Sequence, residues 1–134
     1  MKSKVQKISP RLRKLLMQAR RIFEREYPGR DVVIQPVFLK GNEIRRLCKK
    51  SGKSRRFAVS IVKRGKRWVV FDIGLDKMPD DFVLFHFLHE LIHAGLGETN
   101  ETKAISMTFG ALKKLGINRD DFMRRYRQFL VKTF

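Results

Sequence analysis

Residues Phe82 to Gly97 read FVLFHFLHELIHAGLG, and the reading of this stretch decides the fold. Phe82, Val83, Leu84, Phe85, Phe87, Leu88, Leu91, Ile92 and Ala94 leave no polar stripe wide enough to face water, which predicts a helix buried nearly all round. Within it His89, Glu90 and His93 spell H-E-x-x-H. Positions i and i+4 share one face of a helix, so the two imidazoles aim at a single point. Polar groups on an apolar helix need buried partners, and one metal ion satisfies both rings together. The plain alternative is a hydrogen-bonded pair of core histidines in a motif short enough to arise by chance.

Zinc in a catalytic site takes three protein ligands and keeps one position open to water. Glu90, beside the first histidine, is placed to reach that water as a general base without binding the metal. The third ligand must then come from beyond the helix. No histidine follows His93, so the segment Glu98-Thr99-Asn100-Glu101 has to supply a carboxylate. Glu101 is the first choice, with Thr99 or Asn100 capping a new helix through Ile105, Phe109 and Leu112 to Leu115. Glu98, in the turn itself, is the competing ligand. His86 shares the helix with the pair, but three residues of one straight helix rarely close a tetrahedral face, and it reads as a core or supporting histidine.

The flanks of the stretch carry ordinary helix punctuation. Pro79 suits the first turn, Asp80 and Asp81 complement the positive end of the dipole, and Gly95 and Gly97 are places for the helix to stop.

A chain of 134 residues fits one domain with a sizeable core. Its 31 Lys and Arg against 13 Asp and Glu give a net charge of +18. Such a balance favours polyanionic partners, nucleic acid first, although a basic solvated surface needs no partner at all. The single cysteine, Cys48, excludes an internal disulfide framework and suits a reducing, cytoplasmic setting. No run of apolar residues has the form of a signal peptide or the length of a membrane span, which argues against a secreted digestive protease and against a membrane partner.

Taken in order, Ser9-Pro10 opens an amphipathic helix to about Tyr27 with Leu12, Leu15, Leu16, Ala19, Ile22 and Phe23 on one face. Arg11, Arg13, Lys14, Arg20, Arg21 and Arg25 occupy the other. Val32 to Leu39 predicts a strand, with Pro36 placing it at an edge. A short helix is expected around Asn42 to Lys49, and Phe57 to Lys63 with Trp68 to Ile73 form a hairpin across Arg64-Gly65-Lys66. A last helix runs from Arg119 to Val131. The fold class expected is α+β: a small, mostly antiparallel sheet of about three strands, packed on the H-E-x-x-H helix, the glutamate helix and the two terminal helices.

His89-Glu90-Leu91-Ile92-His93 followed by Asn100-Glu101-x-x-Ala104 resembles the gluzincin metallopeptidases. Small size and the order of elements resemble their minimal members, the minigluzincins, and the repressor-cleaving ImmA/IrrE proteins. The likeness covers about half the chain, from the hairpin to the glutamate helix. His-Glu-Leu-Ile-His-Ala is also similar to the SprT-like proteases that act on DNA-bound proteins, whose third histidine has no counterpart here. The resemblance implies a single zincin-like metallopeptidase domain over residues 1–134. It implies Zn²⁺ on His89, His93 and Glu101, Glu90 as general base, and a peptide or protein substrate. It further implies that a strand beside the active helix pairs with the substrate backbone. That strand is Trp68 to Ile73, which would make Trp68, Val69, Val70 and Phe71 substrate-binding residues, or the neighbouring Phe57 to Lys63. A downstream tyrosine steadies the oxyanion in such enzymes, and Tyr126 is the only one after the motif. Latency, imposed by the N-terminal helix or by the tail Asp120 to Phe134, stays open, as does the oligomeric state. The competing function class is a basic nucleic-acid-binding protein whose metal is structural or whose motif is degenerate.

Overall fold

A computed structural model describes residues 7–29, 35–50, 58–63 and 66–130. Helix α1 (Pro10–Glu26) is followed by strand β1 (Gln35–Leu39), helix α2 (Gly41–Lys50), and strands β2 (Ala58–Lys63) and β3 (Lys66–Asp72). A 3-10 turn (Ile73–Lys77) leads into α3 (Asp80–Leu96), then come α4 (Glu101–Leu112), a second 3-10 turn (Lys113–Leu115) and α5 (Arg119–Leu130). The fold is α+β and mostly helical, with a small sheet. Residues 32–34 and 57 of the expected strands and the turn at 64–65 lie outside the described residues.

Helix α1 forms as its punctuation requires. Ser9 is the N-cap, its hydroxyl accepting from the Leu12 amide, and Pro10 takes the first helical position. The six apolar residues expected on its inner face are all buried there. Arg11 on its flank reaches Asp80 at 2.8 Å and the Asp76 carbonyl at 3.0 Å, and also bonds the Met78 carbonyl, so the start of α1 is clamped to the entry of α3.

Helix α3 begins after Pro79, which occupies the N-cap position, and ends where Gly97 turns left-handed at φ +66°. That φ favours glycine because a Cβ would crowd the backbone. Gly95 lies inside the helix and does not end it. From Phe82 to His89 every residue is buried, so α3 is the axis on which the other elements pack. Phe85 lies 5.0 Å from Phe109 of α4 and 5.0 Å from Phe122 of α5, and Phe82 stacks at 4.8 Å on Tyr126. On the sheet side Phe87 meets Phe71 and Phe38 edge-on, at 4.9 and 6.0 Å.

The strand order is β1-β3-β2, with β2 antiparallel to β3 and β1 parallel to it. The expectation of a mostly antiparallel sheet is therefore corrected to a mixed one. Strands β2 and β3 are close in sequence and pair antiparallel, whereas α2 stands between β1 and that pair along the chain, and β1 adds to the other edge of β3 in the same sense as β3. Side chains alternate across β3: Val69 and Phe71 belong to the main core with α3, while Val70 joins Leu39 and Ile44 beneath α2.

This topology also corrects the expected substrate strand. Trp68, Val69, Val70 and Phe71 lie on the central strand, whose backbone is paired with Gln35 to Phe38 on one side and with Ala58 to Ile61 on the other. Neither edge of β3 is left to receive a peptide. Strands β1 and β2 are the edges, and Pro36 sits on one of them.

Among the described residues no helix is long and apolar enough to cross a membrane. Phe87 ties the helical core to the sheet, so Phe87→Ala should cost about 3–5 kcal/mol of unfolding free energy, read from urea denaturation. A loss below about 1 kcal/mol would show that α3 and the sheet are not packed through this ring.

Candidate metal centre

Three side chains from two elements meet at the C-terminal half of α3. His89 and His93 come from successive turns of α3, and Glu101 is the first residue of α4. Asn100 caps that helix, its side chain accepting from the Lys103 amide at 2.9 Å, which fixes where Glu101 begins. His89 Nε2 stands 2.5 Å from Glu101 Oε1 and 3.2 Å from His93 Nε2, and His93 Nε2 is 3.4 Å from the same carboxylate. Metal–ligand bonds of about 2.0–2.1 Å at tetrahedral angles separate neighbouring donors by about 3.3 Å, close to the two longer distances. The shortest contact is tighter than a charge-assisted N–H···O bond of about 2.7–2.9 Å.

Hydrogen bonding at the far side of each ring settles which nitrogen holds the proton. Thr108 is fully buried, and its hydroxyl donates to the Ala104 carbonyl at 2.7 Å, so toward His89 Nδ1, 3.3 Å away, it can only accept. His93 Nδ1 lies 2.5 Å from the Glu98 carbonyl, another pure acceptor. Both Nδ1 atoms therefore donate, and both Nε2 lone pairs point inward at a carboxylate. Two lone pairs and an anion held together need a cation between them, either a metal ion or a proton. The donor set fits a metal ion: the group can hold one.

The titration behaviour agrees with a site that is short of positive charge. Glu101 would be raised by burial, but its hydrogen bonds with His89 and His93 hold it well below the usual carboxylate range. His93 is raised above 6.5, first by its bond to Glu101, against burial, with help from the Glu98 carbonyl and the charges of Glu90 and Glu101. Without metal, the pair favours a proton on His93 and a negative charge on Glu101. Its contribution to stability is full between the ordinary pKa values of the two groups. It falls in acid as Glu101 protonates through its lowered pKa, and in base as His93 deprotonates through its raised one.

The other residues singled out in the sequence are placed as follows. Glu90 is half-buried on α3 beside His89, near enough for its charge to act on His93. Glu98 contributes its carbonyl to His93, but its carboxylate accepts from the Asn100 amide at 3.1 Å and lies 3.5 Å from Lys103 Nζ, outside the cluster. His86 is buried against Phe82 at 4.6 Å, and burial followed by the neighbouring His89 charge lowers its pKa to about 3, so it is a neutral core residue. Tyr126 requires correction as an oxyanion donor. Its hydroxyl donates to Asp81 at 2.5 Å, at the opening turn of α3, and the helix rise of about 1.5 Å per residue puts His89 two turns further on. Arg125 reaches the same carboxylate at 2.7 Å, and α5 bends at Tyr126 (φ −113°), making this a structural clasp between two helices.

Thr108 was not singled out in the sequence, although helical spacing puts it two turns from Glu101 on the same face of α4. A buried Thr on a glutamate helix is the signal that was there to find. The Glu98 carbonyl carries no such signal, since a backbone acceptor depends on where the turn closes rather than on residue type. The ring of Phe85 lies nearly parallel to His89 at 5.4 Å and holds that imidazole in plane.

Comparison of the chain with protein-family models, with curated proteins and with solved structures finds no match in any of the three.

Metal titrations and denaturation check the cluster. In competition titrations with a zinc indicator, Glu101→Ala should lose high-affinity binding and Glu98→Ala should keep it, while Thr108→Val should weaken it about 10–100-fold and Thr108→Ser restore it. Tyr126→Phe should leave affinity unchanged and cost about 1 kcal/mol of stability. Because a proton on His93 competes with metal, affinity should rise with pH through and beyond 6.5, levelling only above the raised pKa. Affinity that is flat across that range would remove His93 from the ligand set.

Proposed function

We propose that this chain is a metal-dependent peptidase of gluzincin type, using zinc on His89, His93 and Glu101. The observation that carries the proposal is the inward convergence of two imidazole lone pairs and a carboxylate, with Glu90 next to His89 on α3 and its charge acting on His93. Two nitrogens and one oxygen suit zinc better than calcium or magnesium, which take oxygen ligands. Three protein donors leave a fourth corner for water and substrate.

A zinc ion bound there supplies Lewis-acid polarisation of a carbonyl oxygen and a lowered pKa for water. The chain's own residues supply the rest. Glu90 takes the proton from the attacking water and returns it to the leaving amine, which requires it to stay ionised beside the cluster and outside the ligand set. Thr108 and the Glu98 carbonyl keep both rings in the tautomer that faces inward. Burial of His89 between Phe85 and α4 keeps water away from the back of the site. With β3 paired on both sides, an extended peptide has an edge available only at β2 or β1 among the described strands. β2 is the edge named as the alternative in the sequence.

Glu90→Gln should keep zinc affinity and lose at least about 100-fold in turnover of a mixed fluorogenic peptide library, and chelation should abolish cleavage by the unmodified chain. Hydrolysis that survives Glu90→Gln would take that carboxylate out of the mechanism.

A further inference from the structure

The distribution of charge is lopsided in a way the metal centre does not use. Most acids among the described residues are engaged inside the fold. Asp76 and Asp80 hold Arg11, Asp81 holds Arg125 and Tyr126, and Asp121 pairs with Arg124. Glu26 takes Lys114 at 2.7 Å, Glu98 lies by Lys103, and Glu101 serves the histidines. Little negative charge is left for the outer face of α1. There Arg13, Lys14, Arg20 and Arg21 are exposed, with no acidic partner among the described residues.

Helical spacing sorts these four into two rows. Arg13 and Arg20 lie two turns apart on one flank, Lys14 and Arg21 two turns apart on the other, and Met17 and Glu24 occupy the strip between. Within each row the cations are about 10 Å apart along the axis. A helix with its side chains is about 10–12 Å across, and the major groove of B-form DNA is about 12 Å wide, bordered by one phosphate strand on each side, whereas that of A-form RNA is deep and narrow. Rows on both flanks match that border, whereas a single central stripe would not.

We propose that the outer face of α1 binds the phosphate backbone of B-form duplex DNA, each row of cations lying against one strand. The proposal does not depend on the metal cluster. An anionic membrane fits less well, because surface helices hold a bilayer by an apolar face, and the apolar face of α1 is spent on the core. Met17, 49% exposed, is the one large hydrophobic residue left on the outer side of α1 among the described residues. Arginine and lysine in rows, with no amide side chain between them, read phosphate rather than base sequence.

The test uses the full chain and fluorescence anisotropy with duplex DNA and duplex RNA of one sequence, between about 50 and 200 mM salt. Combined Arg13→Gln, Lys14→Gln, Arg20→Gln and Arg21→Gln should weaken binding by about 100-fold or more at low salt and flatten the log–log salt dependence by about 3 to 4. A control with the same loss of charge elsewhere, Lys103→Gln, Lys113→Gln, Arg119→Gln and Arg127→Gln, should change the slope by less than half as much. Circular dichroism confirms that both remain folded, and binding to duplex DNA, with or without chelator, supports the proposal. Equal losses in the two variants would overturn it, since binding would then follow net charge and not this face. Binding to duplex RNA or to phosphatidylserine vesicles without binding to duplex DNA would overturn it as well.

Discussion

Three hydrogen-bond acceptors turned toward one point, two of them on a helix that is otherwise apolar, set the terms for the rest of this molecule. Such an arrangement is unfavourable until a cation enters it, and it persists only if the surrounding structure fixes the rings from behind. Thr108 and the Glu98 carbonyl do so from α4 and from the turn that precedes it. The turn and the helix must therefore dock in one register. Gly97, left-handed at the end of α3, and Asn100, capping α4, are the residues that permit it. A few residues of connection thus position a ligand, a supporting hydroxyl and a supporting carbonyl together.

Rigidity at this centre is drawn from the aromatic packing around α3. Phe85 contacts His89 on its own helix and Phe109 and Phe122 on the two helices beyond, so the plane of the imidazole is coupled to the position of α4 and α5. The clasp of Tyr126 and Arg125 on Asp81 holds α5 at the other end of α3. Close-packed interiors transmit displacements because they have few voids to absorb them. A shift of α5 therefore reaches His89 through phenyl rings, and Tyr126 supports the cluster by holding helices.

What the sequence made legible is what local physics encodes. The buried character of α3, the inner face of α1, the Asn100 cap and the meeting of His89, His93 and Glu101 all follow from helical spacing and end chemistry. The direction of β1, the central position of β3 and the destination of the Tyr126 hydroxyl depend on how distant elements pack. A hairpin pattern has the same appearance whether its first or its second strand ends up in the middle. Trp68 to Phe71 read well as a strand for that reason, and poorly as a strand with a free edge. Choosing Glu101 over Glu98 needed only the cap: a residue at the first turn of a new helix projects from a fixed frame, whereas a carboxylate inside the turn bends back to bond its own backbone, as Glu98 does to the Asn100 amide.

The same division explains the surface. With 13 acids among 134 residues, each carboxylate that caps a helix, clasps an arginine or faces the histidines is one fewer to offset the outer lysines and arginines. The acids lie where the fold needs an acceptor: at the entry to α3, at the start of α4, between α1 and the 3-10 turn that carries Lys114. The cations fill the positions left over, and on α1 those positions fall on two flanks because the core claims the third side. Screening confines the resulting field to about 10 Å at moderate salt, so it acts on what touches α1 and adds little to attraction from a distance. The cationic face of α1 and the cluster of His89, His93 and Glu101 are thus separate features of one small chain, joined because the core helix α3 packs against both α1 and α4.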